Sequence, residues 1–200
     1  MDEKSMPDDW SHLLGVIDCE EGALSVSSKE LLGKGRELAD QLGVWLMVYS
    51  MTPLAGLERE AISLGADQVL ILPPDPSDAG VASDRYLTAQ AESIAGVIGQ
   101  AHPEIVLFTS SPLMTAVAAR VAQHFKTGLV TDCTSLDLDL SERRLVAVSP
   151  LYEGRLVQEY HWPVRRPQMA TLRSGAFPEA FPDRYREGNI KKLDRTNKDG

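Results

Sequence analysis

Ser27-Ser-Lys-Glu-Leu-Leu-Gly-Lys-Gly-Arg-Glu-Leu-Ala-Asp-Gln-Leu-Gly43 stands between two apolar runs, Leu13-Leu-Gly-Val-Ile17 and Val44-Trp-Leu-Met-Val-Tyr49. Within it Leu31, Leu32, Gly35, Leu38, Ala39 and Leu42 recur at helical spacing. Ser27 to Glu30 reads as a capping box, in which the serine hydroxyl and the glutamate satisfy free amides at the helix start, and Gly43 stops the helix. The flanking runs are short and unbroken, as strands buried on both faces are. Strand, helix and strand in immediate succession form the repeating unit of a parallel sheet.

The alternation continues outward from this unit. Gly22 turns the chain between the first strand and the helix. Leu57 to Leu64 reads as a short helix ended by Gly65, and Gln68 to Leu72 as a strand. Pro73-Pro-Asp-Pro-Ser-Asp-Ala-Gly80 continues neither element and is expected to be a surface loop. Ser83 is placed to cap a helix carrying Leu87, Ala91, Ile94, Ala95 and Ile98 on one face. Glu104 to Phe108 follows Pro103 as a strand, and Ser111-Pro112 opens a helix running to about Phe125, with serine as cap and proline in the first turn. After Gly128 only strands are expected: Leu129 to Leu140, Arg144 to Val148, Arg155 to Tyr160 and Met169 to Leu172, with a turn at Glu153-Gly154.

The expected fold is therefore α/β, a three-layer sandwich whose mostly parallel sheet is flanked by helices, with antiparallel strands in the C-terminal part. Residues 1–177 are expected to form one domain and 178–200 a mobile polar linker or tail, since Pro, Asp, Arg, Lys, Asn and Gly dominate there.

Composition narrows the function. The 200 residues are 43% hydrophobic and 24% charged, which is ordinary for a soluble globular protein. No apolar run approaches the roughly 20 residues that span a bilayer. The acidic start, Met1 to Asp9, lacks a signal-peptide core, so residence in the cytoplasm without membrane insertion is expected. A net charge of −9 argues against a nucleic-acid partner, which needs a basic face. The two cysteines, Cys19 and Cys133, have no Cys or His cluster near them in sequence and read as small buried thiols. His12, His102, His124 and His161 are scattered, without metal-ligand spacing.

Near the end, Arg166-Pro-Gln-Met-Ala-Thr-Leu-Arg-Ser-Gly-Ala-Phe177 resembles the closing segment of the N-terminal domain of electron-transfer flavoprotein alpha subunits, which reads like Arg-Pro-Gln-Met-Ala-Thr-Val-Arg-Pro-Gly-Val-Phe. Glu30-Leu-Leu-Gly-Lys-Gly-Arg-Glu-Leu-Ala39 is similar to that family's Glu-Leu-Leu-Gly-Lys-Ala-Arg-Glu-Leu-Ala helix. Gly65-Ala-Asp67, Pro103-Glu-Ile-Val-Leu-Phe108 and Thr127-Gly-Leu-Val-Thr-Asp-Cys133 fall in the family's order. The resemblance runs from about Trp10 to Asp194. It implies the sandwich fold of the adenine nucleotide alpha hydrolase-like type and a heterodimer with a beta-type subunit. It also implies FAD for the complete flavoprotein, carried by a separate FAD domain, and AMP in the partner subunit. No cofactor is expected on this chain alone.

Two departures remove arginines. Met114-Thr-Ala116 stands where the family usually has Gly-Arg-Asp, and Ser149-Pro-Leu-Tyr-Glu-Gly-Arg155 replaces its Arg-Pro-x-x-Gly-Gly-Asn hairpin.

The candidate sites follow from position. Thr109, Ser110 and Ser111 lie where a parallel strand gives way to a helix, the usual place for an anion or nucleotide in open α/β sheets; the plainer reading is that Ser111 only caps the helix. Asp132 is a carboxylate in an apolar strand, read either as catalytic or as pinning a loop through backbone N–H groups. Tyr160, Trp162, Arg165, Arg166 and Arg173 are candidates for a partner interface, with simple burial as the alternative for the aromatic residues. The expected function is a non-catalytic docking and structural domain of an electron-transfer flavoprotein alpha subunit. The alternative is a stand-alone adenine-nucleotide-binding regulatory domain of the stress-protein type, whose phosphate loop is not found. No Gly-x-Ser-x-Gly motif or paired acid and base supports a hydrolase.

Overall fold

The computed structural model describes residues 10–51, 54, 56–73, 84–152, 154–162 and 165–194. The chain runs β1 (Leu13–Ile17), β2 (Cys19–Glu20), β3 (Ala23–Leu24), α1 (Val26–Leu42), β4 (Leu46–Ser50), α2 (Glu58–Ser63) and β5 (Gln68–Ile71). It continues with α3 (Asp84–Ala101), β6 (Ile105–Thr109), α4 (Pro112–Phe125), β7 (Leu129–Cys133), β8 (Ser135–Asp139), β9 (Arg144–Leu151), β10 (Leu156–His161), β11 (Gln168–Leu172) and β12 (Asn189–Lys192). The expected loop 73–80 and the Ser83 cap fall, apart from Pro73, outside the described residues.

Seven strands form one sheet in the order β12-β5-β4-β1-β6-β11-β7, and every pairing in it is parallel. Successive side chains point to opposite faces, so each central strand feeds two cores. Leu13, Ile17, Leu46, Val48, Ile105 and Leu107 meet α1 and α2, while Leu14, Val16, Met47, Val106 and Phe108 meet α3 and α4. This is the expected three-layer α/β architecture. A separate antiparallel sheet, β10-β9-β8, grows from the C-terminal half. The strands after Gly128 divide between the two sheets. β7 and β11 extend the parallel sheet, and only β8 to β10 are antiparallel. The single run expected over residues 129–140 is two strands separated at Thr134, and Asp132, with a φ of 60°, sits at an irregularity within β7, after which Cys133 still pairs with Leu172.

The start of α1 also differs from expectation. Ser25, not Ser27, is the N-cap and accepts from the Ser28 amide. Glu30 faces away from the helix start and accepts the Gly175 amide on both oxygens at 2.9 Å. The Ser27 hydroxyl instead donates to Ser174 Oγ at 3.0 Å. The other end behaves as read: Gly43 closes α1 in the left-handed conformation.

Residues 178–194, expected as a polar tail, lie along the body as a strap. The Ala180, Asp183, Asn189 and Leu193 amides donate to Lys29, Ser63, Asp67 and Ile71 carbonyls at 2.8–3.0 Å. β12 then forms an edge of the sheet beside β5. Gly33 permits this approach, since a Cβ there would stand 2.9 Å from the Pro178 carbonyl oxygen. The strap has few apolar side chains to announce it because main-chain hydrogen bonds, available to any residue but proline, provide much of its hold.

Candidate functional site

The chain leaves β1 for β4 on one side of the sheet and later returns to β6 on the other. The C-terminal ends of β1 and β6 therefore flank the topological switch point, where ligands of open α/β sheets bind. Asp18 follows β1 and Thr109 ends β6. The Thr109 hydroxyl donates to Asp18 Oδ2 at 3.1 Å, across the crevice. The Ser25 and Ser28 hydroxyls bind Asp18 Oδ1, and the Asp18 amide donates to Ser28 Oγ at 2.9 Å. A carboxylate of the chain itself thus collects hydroxyl donors of the kind that would otherwise meet a phosphate.

The rest of the triplet is similarly engaged. Ser110 bonds to Asp132. Ser111 is the expected cap, accepting from Met114 N at 3.1 Å, with Pro112 in the first turn of α4. Asp132 is pinned by a side chain rather than by backbone amides, for it forms a bidentate ion pair with Arg173 at the end of β11. Arg173, then burial in the opposite sense, then Ser110 set its carboxyl, and the net effect holds it below the ordinary range. The same pair raises Arg173. Burial, with the nearby Asp132 charge, pushes the Cys133 thiol up to about 12. An incoming anion at Thr109–Ser111 would meet the Asp18 carboxylate, a repulsive neighbour, while Asp132 is neutralised by Arg173.

The segment that carried the family resemblance is structural at its near end. Gln168 is fully buried, accepts from Leu145 N at 2.7 Å and donates to the Arg143 carbonyl at 3.0 Å, tying the start of β11 to β9. Arg166 reaches the same carbonyl at 2.9 Å. Burial lowers its pKa, while Glu104, itself paired with Arg143, acts in the opposite sense. Arg165 donates to the Lys126 carbonyl. Arg165 and Arg166 precede β11 and Arg173 follows it, so the basic group read from sequence is split between opposite ends of this strand. Trp162 lies in the core with its indole N–H on the Gly128 carbonyl, and Tyr160 is half-buried on β10. The five interface candidates do not form one surface.

Sequence reading did not single out Asp18, and it marked the β9–β10 hairpin only as a departure from the family pattern. β8 pairs with β9 only from Arg144 to Val148, so Ser149 to Leu151 have only β10 as a ladder partner. Tyr152 at the turn and Leu156 and Val157 on β10 are 74%, 57% and 67% exposed. Ser149, at the position of one missing arginine, is buried with its hydroxyl on the Thr131 carbonyl at 2.9 Å. Among the described residues no group of three or more His, Cys, Asp or Glu is arranged to hold a metal ion.

Residues 14–198 match the electron transfer flavoprotein domain family. The chain is similar to electron transfer flavoprotein subunit alpha of Clostridium acetobutylicum, 35% identical over 170 residues that cover 84% of this chain and 49% of the relative. The subunit alpha of Thermoanaerobacterium thermosaccharolyticum is 30% identical over 187 residues, 93% of this chain and 55% of the relative. Protein FixB of Clostridium saccharobutylicum is 34% identical over 176 residues, 88% and 51% respectively. The chain spans about half the length of these curated relatives.

Proposed function

The chain belongs to the electron transfer flavoprotein domain family, and from that premise we propose that it is a non-catalytic docking and structural domain of an alpha-type subunit. In this reading it pairs with a beta-type subunit and supports electron transfer through FAD held on a separate FAD domain. It binds no redox cofactor alone, and any AMP belongs to the partner. Residues from Pro178 serve both as strap and as the link toward that FAD domain. Its place is the cytoplasm. No helix among the described residues is long and apolar enough to cross a membrane.

The observation that carries the docking role is the β9–β10 ribbon. Beyond Val148 the three-stranded sheet narrows to a ribbon of β9 and β10, and a ribbon of two strands alone is at best marginally stable in water. This one exposes Tyr152, Leu156 and Val157 and leaves the outer edge of β10 unpaired within the described chain. Such an edge accepts a further strand or an apolar partner surface. The non-catalytic part rests on the switch point, where Asp18 takes up the hydroxyls that a ligand would need. That arrangement also disfavours the stress-protein reading, which requires room for a phosphate there.

Sedimentation of the chain with a beta-type subunit encoded in the same genome tests the proposal. A one-to-one complex is expected, and Leu156→Lys with Val157→Lys should abolish it without unfolding the chain. The chain alone, incubated with excess FAD, should remain colourless after gel filtration. Absence of a complex sinks the docking role, and stoichiometric flavin on the isolated chain sinks the cofactor assignment.

A further inference from the structure

A cavity lies at the β12 edge of the sheet, where β12 joins β5 and α3 ends. It measures about 240 Å3. Met47, Leu70 and Leu193 form its apolar floor, all three buried in the core beneath α3. Trp45 forms one wall and is 49% exposed. Its ring is held by His12, stacked at 5.4 Å between centroids with planes 13° apart, while His12 Nδ1 accepts from the Trp45 amide at 3.4 Å.

Three polar groups stand around this apolar space. Lys191 pairs in register with Leu70 across β12 and β5, which directs it to the same face of the sheet. Its ammonium has no hydrogen-bond or ion-pair partner among the described residues. Gln68 gives its amide N–H to Asn189 Oδ1 at 2.7 Å, and Gln100 gives its own to the Asp194 carbonyl at 2.9 Å. Each side-chain carbonyl is left without a donor among the described residues. The cavity thus has an aromatic wall, an apolar floor, one unneutralised cation and two acceptors.

We propose that this cavity binds a single-ring aromatic carboxylate bearing a hydroxyl or amino group. The ring lies against Trp45, the carboxylate meets Lys191, and the ring substituent donates to Gln68 or Gln100. At about 240 Å3 the cavity is smaller than the roughly 300–1,000 Å3 of pockets for drug-sized molecules, which favours a ligand of one ring. The site exists only because residues 189–193 complete the sheet, and it stands apart from the switch point and the β9–β10 ribbon.

The test is a nuclear magnetic resonance titration of the full chain with 4-hydroxybenzoate, with 4-hydroxybenzyl alcohol as the neutral comparison. Saturable shifts are expected at the Trp45 indole N–H and the Gln100 and Lys191 amides. Lys191 is exposed on β12, so Lys191→Met should weaken binding about twofold to fivefold, as loss of an exposed ion pair does. The alcohol should bind the parent no better than the carboxylate binds that variant. Ala101→Leu, which narrows the cavity without touching Lys191, should also weaken binding. Lack of saturation at millimolar ligand overturns the proposal, as does parental affinity in either variant. If Lys191→Met binds normally but aggregates, the lysine only guards a sheet edge, and the assignment fails.

Discussion

Replacing Asp67 by alanine should loosen the strap before it unfolds the protein. The Asp67 carboxylate accepts the Leu46 amide at 2.8 Å, Arg36 Nη1 at 2.6 Å and Arg186 Nη2 at 2.7 Å, and so joins β4, α1 and the strap at one point. Arg36 keeps Asp40 and two carbonyls after the change, but Arg186 loses its only described partner, and the Nε of both arginines is already buried without one. Breaking a fully buried ion pair costs about 3–5 kcal/mol. Here the side chains of Arg36, Asp67 and Arg186 are 17%, 24% and 26% exposed, so water relieves part of that loss. We expect about 2–4 kcal/mol for Asp67→Ala in urea unfolding, a large share of the roughly 5–15 kcal/mol of an ordinary domain. Arg186→Met, which cuts the strap link alone, should cost about 1–2 kcal/mol. Hydrogen exchange at residues 189–193 should accelerate in both variants more than exchange in β1 or β6.

The pH dependence follows from the same contacts. Burial by itself would raise the Asp67 carboxyl, but the Leu46 amide and the two arginines outweigh it and hold the pKa below its ordinary 3.8. The unfolded chain therefore binds the proton more tightly, so the contribution is present above the unfolded pKa and disappears as pH falls through the folded one. The gap between parent and Asp67→Ala should be constant from neutral pH down to about pH 5 and close below pH 4. A variant within about 0.5 kcal/mol of the parent, with strap exchange unchanged, would refute this account of how residues 178–194 are held.

Asp18→Ala removes the shared acceptor of Ser25, Ser28 and Thr109 and should lower stability by about 1–3 kcal/mol; an unchanged urea midpoint would show that these hydroxyls do not clamp the switch point. In a Cys19→Ser background, Cys133 should resist a thiol reagent at pH 8 in the folded state and react at once in denaturant. With its thiol pushed up to about 12, only about one in 10,000 is ionised at that pH. Gln168→Leu strands the buried Leu145 amide and should cost about 1–3 kcal/mol in thermal or urea unfolding, whereas Gln168→Glu retains an acceptor for it and should recover part of the loss at neutral pH only if burial of the charge is tolerated.

What the sequence alone determined is local. Helical spacing from Leu31 to Leu42, Gly43 beyond it, Ser111-Pro112 at a helix start and short unbroken apolar runs all act within a turn or a strand, and together they specify a parallel α/β sandwich. The order of the motifs, ending in Arg166-Pro-Gln-Met-Ala-Thr171, was likewise legible as a family pattern without coordinates. Tertiary structure decided everything that needed a distant partner. Ser25, not Ser27, caps α1, where both Ser25 and Ser28 meet Asp18 while Ser27 turns to Ser174, and Asp18 matters because β1 and β6 are neighbours although 87 residues separate Asp18 from Ile105. Arg166 and Arg173 parted because β11 runs between them and carries them to opposite ends of the strand. The strap escaped notice because a sheet edge is recruited through N–H and C=O groups that every residue but proline offers alike, so a polar segment such as Asn189 to Lys192 bears no hydrophobic mark of its place.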